Sequence, residues 1–159
     1  MSELKIGDPA PDFTLPTDGD GSIQLADLAG RNVVLFFYPK DDTPGCTTES
    51  IGFSEAIESF GAENTTVIGV SKDTVAKHDK FKAKHDLKVI LGSDAETDMI
   101  ERYGAWVLKK MYGREYMGIE RSTFLIGADG KIAQIWRKVR VKGHVDAVLE
   151  ATQTLNASS

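Results

Sequence analysis

Cysteine is all but missing from this 159-residue chain: it occurs once, at position 46. A lone cysteine excludes an internal disulfide, a Cys-x-x-Cys redox pair and a zinc site of the usual thiolate kind. It also fits a reducing compartment. The three histidines, His78, His85 and His144, show no metal-ligand spacing. Long apolar runs are missing too. Nothing approaches the roughly 18–20 residues that span a bilayer, and Met1-Ser2-Glu3-Leu4-Lys5 lacks the apolar centre of a signal peptide. The expected location is the cytoplasm, with no membrane partner. An excess of positive charge is likewise missing: 19 Lys and Arg stand against 24 Asp and Glu, for a formal net charge of -5. That balance argues against a nucleic-acid partner, because phosphate rewards clustered cations. Two local basic clusters, Lys109, Lys110 and Arg114, then Arg137, Lys138, Arg140 and Lys142, read as solvated surface. Repeats, linkers and low-complexity tracts are absent.

What remains is an ordinary globular composition, 41% hydrophobic and 27% charged, at the length of one domain spanning 1–159. Residues 1–31 are dense in turn formers and read as an irregular lead-in with short strands, or a hairpin around Gly19-Asp20-Gly21. Val33 to Tyr38 is apolar on both faces and bounded by Pro39, which predicts a buried central strand. Residues 44–61 carry Phe53, Ile57 and Phe60 at helical spacing. Thr66–Val70 and Val89–Leu91 read as further strands. Residues 74–86 and 95–104 read as helices. Residues 105–119 fit no single pattern. Thr123–Ile126, the turn Asp129-Gly130 and Ile132–Trp136 form a hairpin. A last helix carries Val145, Val148, Leu149, Thr152 and Leu155 on one face, and 156–159 should fray. The alternation predicts an α/β thioredoxin-like fold. Its central sheet is mostly parallel, with an antiparallel C-terminal hairpin and helices on both faces.

The chemistry concentrates between strand and helix, in Tyr38-Pro39-Lys40-Asp41-Asp42-Thr43-Pro44-Gly45-Cys46-Thr47-Thr48-Glu49. Thr43-Pro44 reads as an N-cap followed by Pro at the first helical position. Cys46 then falls in the first turn. Backbone N–H groups there lack helical partners and the helix dipole favours negative charge, so the thiolate gains over the thiol.

Pro39, Thr43 and Cys46 match the spacing of the peroxiredoxin signature. Phe37-Tyr38-Pro39-Lys40, Thr43 to Glu49, and Gly118-Ile119-Glu120-Arg121-Ser122-Thr123-Phe124-Leu125-Ile126 resemble the bacterioferritin comigratory protein, or peroxiredoxin Q, branch. Trp136 to Val139 and Gly143-His144 fit it as well. The resemblance runs from about Gly7 to Leu149. It implies reduction of hydrogen peroxide and organic hydroperoxides without metal, haem or other cofactor. Cys46 would attack peroxide and become sulfenic acid. Arg121 would supply charge and donors, Thr43 would orient peroxide, and Pro39 would shield the site. Gly45, Glu49 and Trp106 are further candidates for the pocket. Glu49 either pairs with Arg121 or faces solvent. Trp106 and Tyr112 either line the pocket or pack in the core. Resolving cysteines occupy two positions in many members of the branch. Here those positions hold Ile51 and Lys82, so recycling would need an external thiol: thioredoxin, glutaredoxin or glutathione. A monomer or weak homodimer is expected. The competing activities are a peroxide-sensing switch and a thiol–disulfide oxidoreductase. Thr43, at the first position of what would be Cys-x-x-Cys, weighs against the latter.

Overall fold

The computed structural model describes residues 4–158. Met1, Ser2 and Glu3, part of the expected irregular lead-in, and Ser159, part of the expected frayed tail, lie outside the described residues. Strands β1 (Thr14–Thr17) and β2 (Gly21–Gln24) form the lead-in hairpin, joined by a short 3-10 turn at Asp18–Asp20. Then follow β3 (Asn32–Phe37), α1 (Pro44–Glu55), α2 (Ile57–Ala62), β4 (Thr65–Ser71), α3 (Val75–His85) and β5 (Ile90–Ser93). The chain continues as α4 (Met99–Arg102), β6 (Trp106–Met111), β7 (Arg114–Ile119), β8 (Ser122–Ile126), β9 (Ile132–Trp136) and α5 (His144–Ala157).

Seven strands form one sheet in the order β2-β1-β5-β4-β3-β8-β9. Hydrogen-bonded parallel pairs are confined to its centre, β3 with β4 and β4 with β5. The pairs β1–β2, β1–β5, β3–β8 and β8–β9 are antiparallel. Only β1 and β8 therefore run against the common direction. The expected thioredoxin-like layout and C-terminal hairpin are both present.

β3 lies in mid-sheet and is buried along its whole length. Because side chains alternate across a strand, Val34 and Phe36, with Tyr38 beyond them, enter one cluster with Phe53, Phe60, Phe81 and Val148 from α1, α2, α3 and α5. Val33, Leu35 and Phe37 enter the other, with Phe13, Met99, Ile100 and Tyr103. Helices do cover both faces, but unequally: the second face has α4 and the lead-in.

Three expectations need correction, and the one segment without a pattern takes a definite form. The helix of residues 44–61 is broken at Ala56, where φ is -92° and ψ 4°. Phe53 and Phe60 still meet across the break at 5.9 Å between ring centroids, so the apolar periodicity survives it. The helix of 95–104 is shorter, because the buried Asp94 carboxylate accepts the N–H groups of Met99 and Ile100 and so fixes the start of α4. Residues 106–119 form a separate two-stranded ribbon, β6–β7, around a turn in which Tyr112 and Gly113 both have positive φ. The expected frayed tail is helical through Ala157. The Asn156 carboxamide donates to the Glu63 carbonyl at 2.8 Å and accepts from Asn32 at 2.7 Å, which ties that turn to the sheet end.

Candidate active site

Helix α1 starts as its sequence predicts. Thr43 is extended at φ -95° and ψ 155°, Pro44 opens the helix, and Cys46 is its third residue, 1% exposed. The Thr43 hydroxyl departs from expectation. It does not cap the helix but donates to the Lys40 carbonyl at 2.8 Å. A hydroxyl committed as donor keeps its lone pairs, so it can still accept a proton donor from solution. Pro39 is half-buried at the end of β3.

Arg121 reaches the helix through sheet pairing. Antiparallel β8 lies against β3 with Ser122 opposite Phe37, which sets the residue before β8 beside the carboxyl end of β3. Val139 N–H donates to the Arg121 carbonyl and fixes that backbone. The guanidinium Nη2 stands 3.3 Å from Cys46 Sγ, and Nη1 donates to Glu49 Oε1 at 2.6 Å. Cys46 and Glu49 are three residues apart on one helical face, so a single arginine can bridge them. Gly45 makes room for it: a Cβ there would lie 3.1 Å from Nη2.

Glu49 is fully buried, and its second oxygen has no partner. Burial pushes its carboxyl up to about 7, against the pull of Arg121. Burial also works against the Arg121 charge, but Glu49 and Cys46 outweigh it and hold Arg121 above the ordinary arginine value. Of the alternatives for Glu49, pairing with Arg121 is the one realised.

Trp106 is placed differently. It is a partly buried member of the cluster on the sheet face opposite Cys46, with the Lys72 ammonium 5.4 Å from its ring centre. Core packing accounts for it, because β6 leaves the body of the fold at that residue. Tyr112 is 98% exposed at the ribbon tip. Ile51 packs against the Cys46 cluster, and Lys82 pairs with Asp18 at 2.7 Å. Among the described residues no group of His, Cys, Asp and Glu is placed to hold a metal ion.

Two features were not legible beforehand. His144, the first residue of α5, contacts the Thr123 hydroxyl at 2.8 Å and packs edge-on to Phe53 and Trp136. Burial, then the nearby Arg121 charge, lowers it to about 4. An unfolded histidine titrates near 6.5. The stabilisation from keeping His144 neutral is therefore complete above 6.5 and is lost as pH falls toward 4, by about 3 kcal/mol. Urea unfolding at pH 4.5 and 7.5 should show a smaller stability difference in His144→Gln than in the wild type. An equal difference would place the acid-sensitive group elsewhere. The second feature is a buried network at the base of the Cys46 loop. Asp41 accepts from the Tyr38 hydroxyl at 2.5 Å and lies 2.6 Å from His78 Nδ1, while its N–H donates to Asp73 at 2.7 Å. These contacts tie the loop of Pro39 and Thr43 to β4 and α3. His78 and Asp73 are more than 30 residues from Asp41 in sequence, so no local pattern announces the network.

A sulfur held this way can attack an electrophile, yet the chain offers no second thiol with which to exchange. That chemistry belongs to a thiol-dependent peroxidase of thioredoxin-like fold rather than to a disulfide exchanger. The comparisons agree. The AhpC/TSA family model matches residues 6–135. The chain is 49% identical to peroxiredoxin Bcp of Bacillus subtilis over 156 residues, 98% of each chain. It is 42% identical to peroxiredoxin Bcp of Xanthomonas campestris over 153 residues, 95% of this chain and 96% of the relative. A solved structure of Xanthomonas campestris peroxiredoxin Q superposes with a TM-score of 0.89 at 40% identity, covering 96% of this chain and 97% of that one. Structures of the Xanthomonas campestris bacterioferritin comigratory protein, with trapped intermediate and ligand complexes bearing on its alkyl peroxide reduction, superpose with a TM-score of 0.89 at 39% identity and cover 96% and 98% of the two chains. The chain belongs to the AhpC/TSA family, in its Bcp or peroxiredoxin Q branch, as a member with a single cysteine. No helix among the described residues is long and apolar enough to cross a membrane.

Proposed function

We propose that the whole chain works as one peroxidase unit in which Cys46 is the nucleophile and Arg121, Thr43 and Pro39 complete the site. The observation that carries this reading is the 3.3 Å contact between Arg121 Nη2 and Cys46 Sγ at the start of α1. The thiolate attacks the nearer peroxide oxygen and the O–O bond breaks. Cys46 becomes sulfenic acid, and the departing oxygen takes a proton to leave as water or an alcohol. Arg121 steadies the sulfur before attack and the oxygen charge during it. Thr43, its hydroxyl turned to Lys40, accepts the peroxide O–H. Pro39 screens the loop from water. Gly45 contributes by lacking a side chain, and Glu49 by holding the guanidinium.

Hydrogen peroxide and organic hydroperoxides are the substrates. The alkyl peroxide reduction of the Xanthomonas campestris relative supports the second class. Recycling falls to an external thiol, because Cys46 is the sole cysteine. Thioredoxin, glutaredoxin and glutathione are the candidates, in a reducing compartment such as the cytoplasm, with the chain working as a monomer or weak homodimer. Peroxide consumption measured with thioredoxin, with glutaredoxin and glutathione, and with a small dithiol tests this. Many turnovers per chain are expected with at least one donor. A single turnover with all three would leave a sensor instead.

Gly45→Ala separates folding from chemistry. Alanine is the better helix former, so stability should hold or rise by under about 1 kcal/mol. The added methyl presses on the guanidinium, and the rate of peroxide attack should fall by about tenfold, or ~1.4 kcal/mol. An unchanged rate would mean that the position of Nη2 is unimportant.

A further inference from the structure

The β6–β7 ribbon is built unlike the rest of the molecule. Among the described residues, five of the six large hydrophobic side chains that stand exposed lie on it: Leu108, Met111, Tyr112, Tyr116 and Met117. Leu108 and Met117 are directly opposed across the ribbon, two register steps beyond Trp106 and Ile119 at its root. Side chains two apart share a face, so the apolar face of Trp106 and Ile119 continues one pair out into water at Leu108 and Met117 and ends at the Lys110–Glu115 ion pair, while Met111 and Tyr116 stand exposed on the other face. The ribbon is also basic. Lys109, Lys110 and Arg114 meet only Glu115 along its length, in a chain whose net charge is -5. The turn at its tip is held by positive φ at Tyr112 and Gly113. The ribbon is therefore a defined arm about 20 Å long at roughly 3.4 Å per residue. It returns to the body at Ile119, two residues before the arginine that touches Cys46.

Exposed Tyr, Met and Arg in one place are the composition of a protein interface rather than of a solvated face. Three occupants differ in charge. A second copy pairing symmetrically would set the basic ribbons against each other, which like charges oppose. An anionic bilayer would attract the ribbon but repel the acidic body around it. A protein partner with an acidic rim and an apolar centre can engage the ribbon alone. The single cysteine requires an outside thiol at the Cys46 sulfur, and the ribbon leads directly into Arg121, which touches that sulfur, at the carboxyl end of β3.

We infer that the β6–β7 ribbon is the docking arm for an acidic dithiol protein that reduces oxidised Cys46, an inference that rests on the peroxidase reading above. Tyr112 and Met111 supply the apolar contact. Lys109, Lys110 and Arg114 steer the approach. The docked partner's thiolate attacks the Cys46 sulfenic sulfur, forming a mixed disulfide while the hydroxyl leaves as water. The partner's second thiol then attacks its own bonded sulfur. Cys46 departs as thiolate, and the partner carries away the disulfide and has supplied both electrons.

The experiment follows steady-state turnover of the full chain with hydrogen peroxide. Donors are an acidic thioredoxin kept reduced by its reductase or, separately, dithiothreitol. The proteins are wild type, the triple variant Lys109→Glu, Lys110→Glu, Arg114→Glu, and Tyr112→Asn, in which Asn suits the positive φ. The triple variant should raise the KM for thioredoxin at least tenfold and lose its dependence on salt. Tyr112→Asn should raise it several-fold. Turnover with dithiothreitol should be the same in all three. An unchanged KM for thioredoxin in both variants overturns the inference. So does a wild type that cycles with dithiothreitol but not with thioredoxin. An unchanged KM with loss of vesicle binding or self-association would assign the ribbon to lipid or to a second copy, and also overturns it. Failure of the wild type to turn over even with dithiothreitol would instead sink the peroxidase reading, and the inference with it.

Discussion

Cys46→Ser is expected to reduce peroxide turnover to the uncatalysed background with every thiol donor, while the protein stays folded. No other side chain in the sequence can serve as a thiol nucleophile. A serine hydroxyl at neutral pH is a far weaker one without an adjacent base. The substitution is mild for the fold. Cys46 is buried beside Arg121, and a hydroxyl there can accept from the guanidinium, so a loss of no more than about 1–2 kcal/mol is expected. Circular dichroism and urea unfolding check the fold, and coupled peroxide consumption checks the activity. Appreciable turnover in a folded Cys46→Ser protein would end the assignment of the nucleophile.

Arg121→Met should slow peroxide attack by about 10²–10³-fold, the range for removing a donor aimed at developing charge, or ~3–4 kcal/mol. It should also destabilise the protein, for a separate reason. Glu49 is wholly buried, its Oε2 has no partner, and Arg121 is the partner of its Oε1. Burial already raises this carboxyl to about 7, and losing the guanidinium raises it further. A group whose proton binds more tightly in the fold than in the unfolded chain adds stability at low pH and loses it as pH rises through the folded value. The destabilisation should therefore grow above pH 7 and shrink near pH 5. Adding Glu49→Gln removes the buried charge. The double variant should regain stability at pH 8 but not the rate. Recovery of both would make Arg121 a structural partner of Glu49 and nothing more.

These tests bear on parts of the site that differ in how openly the sequence declares them. The start of α1 was legible because Thr43-Pro44 and the apolar run before it are local signals, and local signals fix where Cys46 falls. β3 and the β8–β9 hairpin were legible for the same reason. The bond from Thr43 to Lys40 was not, since a capping residue has several carbonyls and amides within reach. The approach of Arg121 depends on pairing between β3 and β8, more than 80 residues apart in sequence. Only the family resemblance pointed to it. Trp106 was left open between pocket and core for a different reason: an aromatic there reads equally as either, and the cluster it joins on the far face exists only in three dimensions. The ribbon went unread because its turn places Tyr112 at positive φ, where Asn or Asp would have announced it.

The measurement that bears most directly on Cys46 as the peroxidatic thiol is intact-mass spectrometry after one equivalent of hydrogen peroxide. A sulfenic-acid trap such as dimedone is added at once, and the reaction is run without any thiol donor. The expected product is monomeric protein carrying one trapped sulfenic acid, located at Cys46 by peptide mapping and absent from Cys46→Ser. Excess peroxide should instead drive Cys46 to sulfinic acid and end turnover. Peroxide consumed with no adduct at Cys46 would contradict the account.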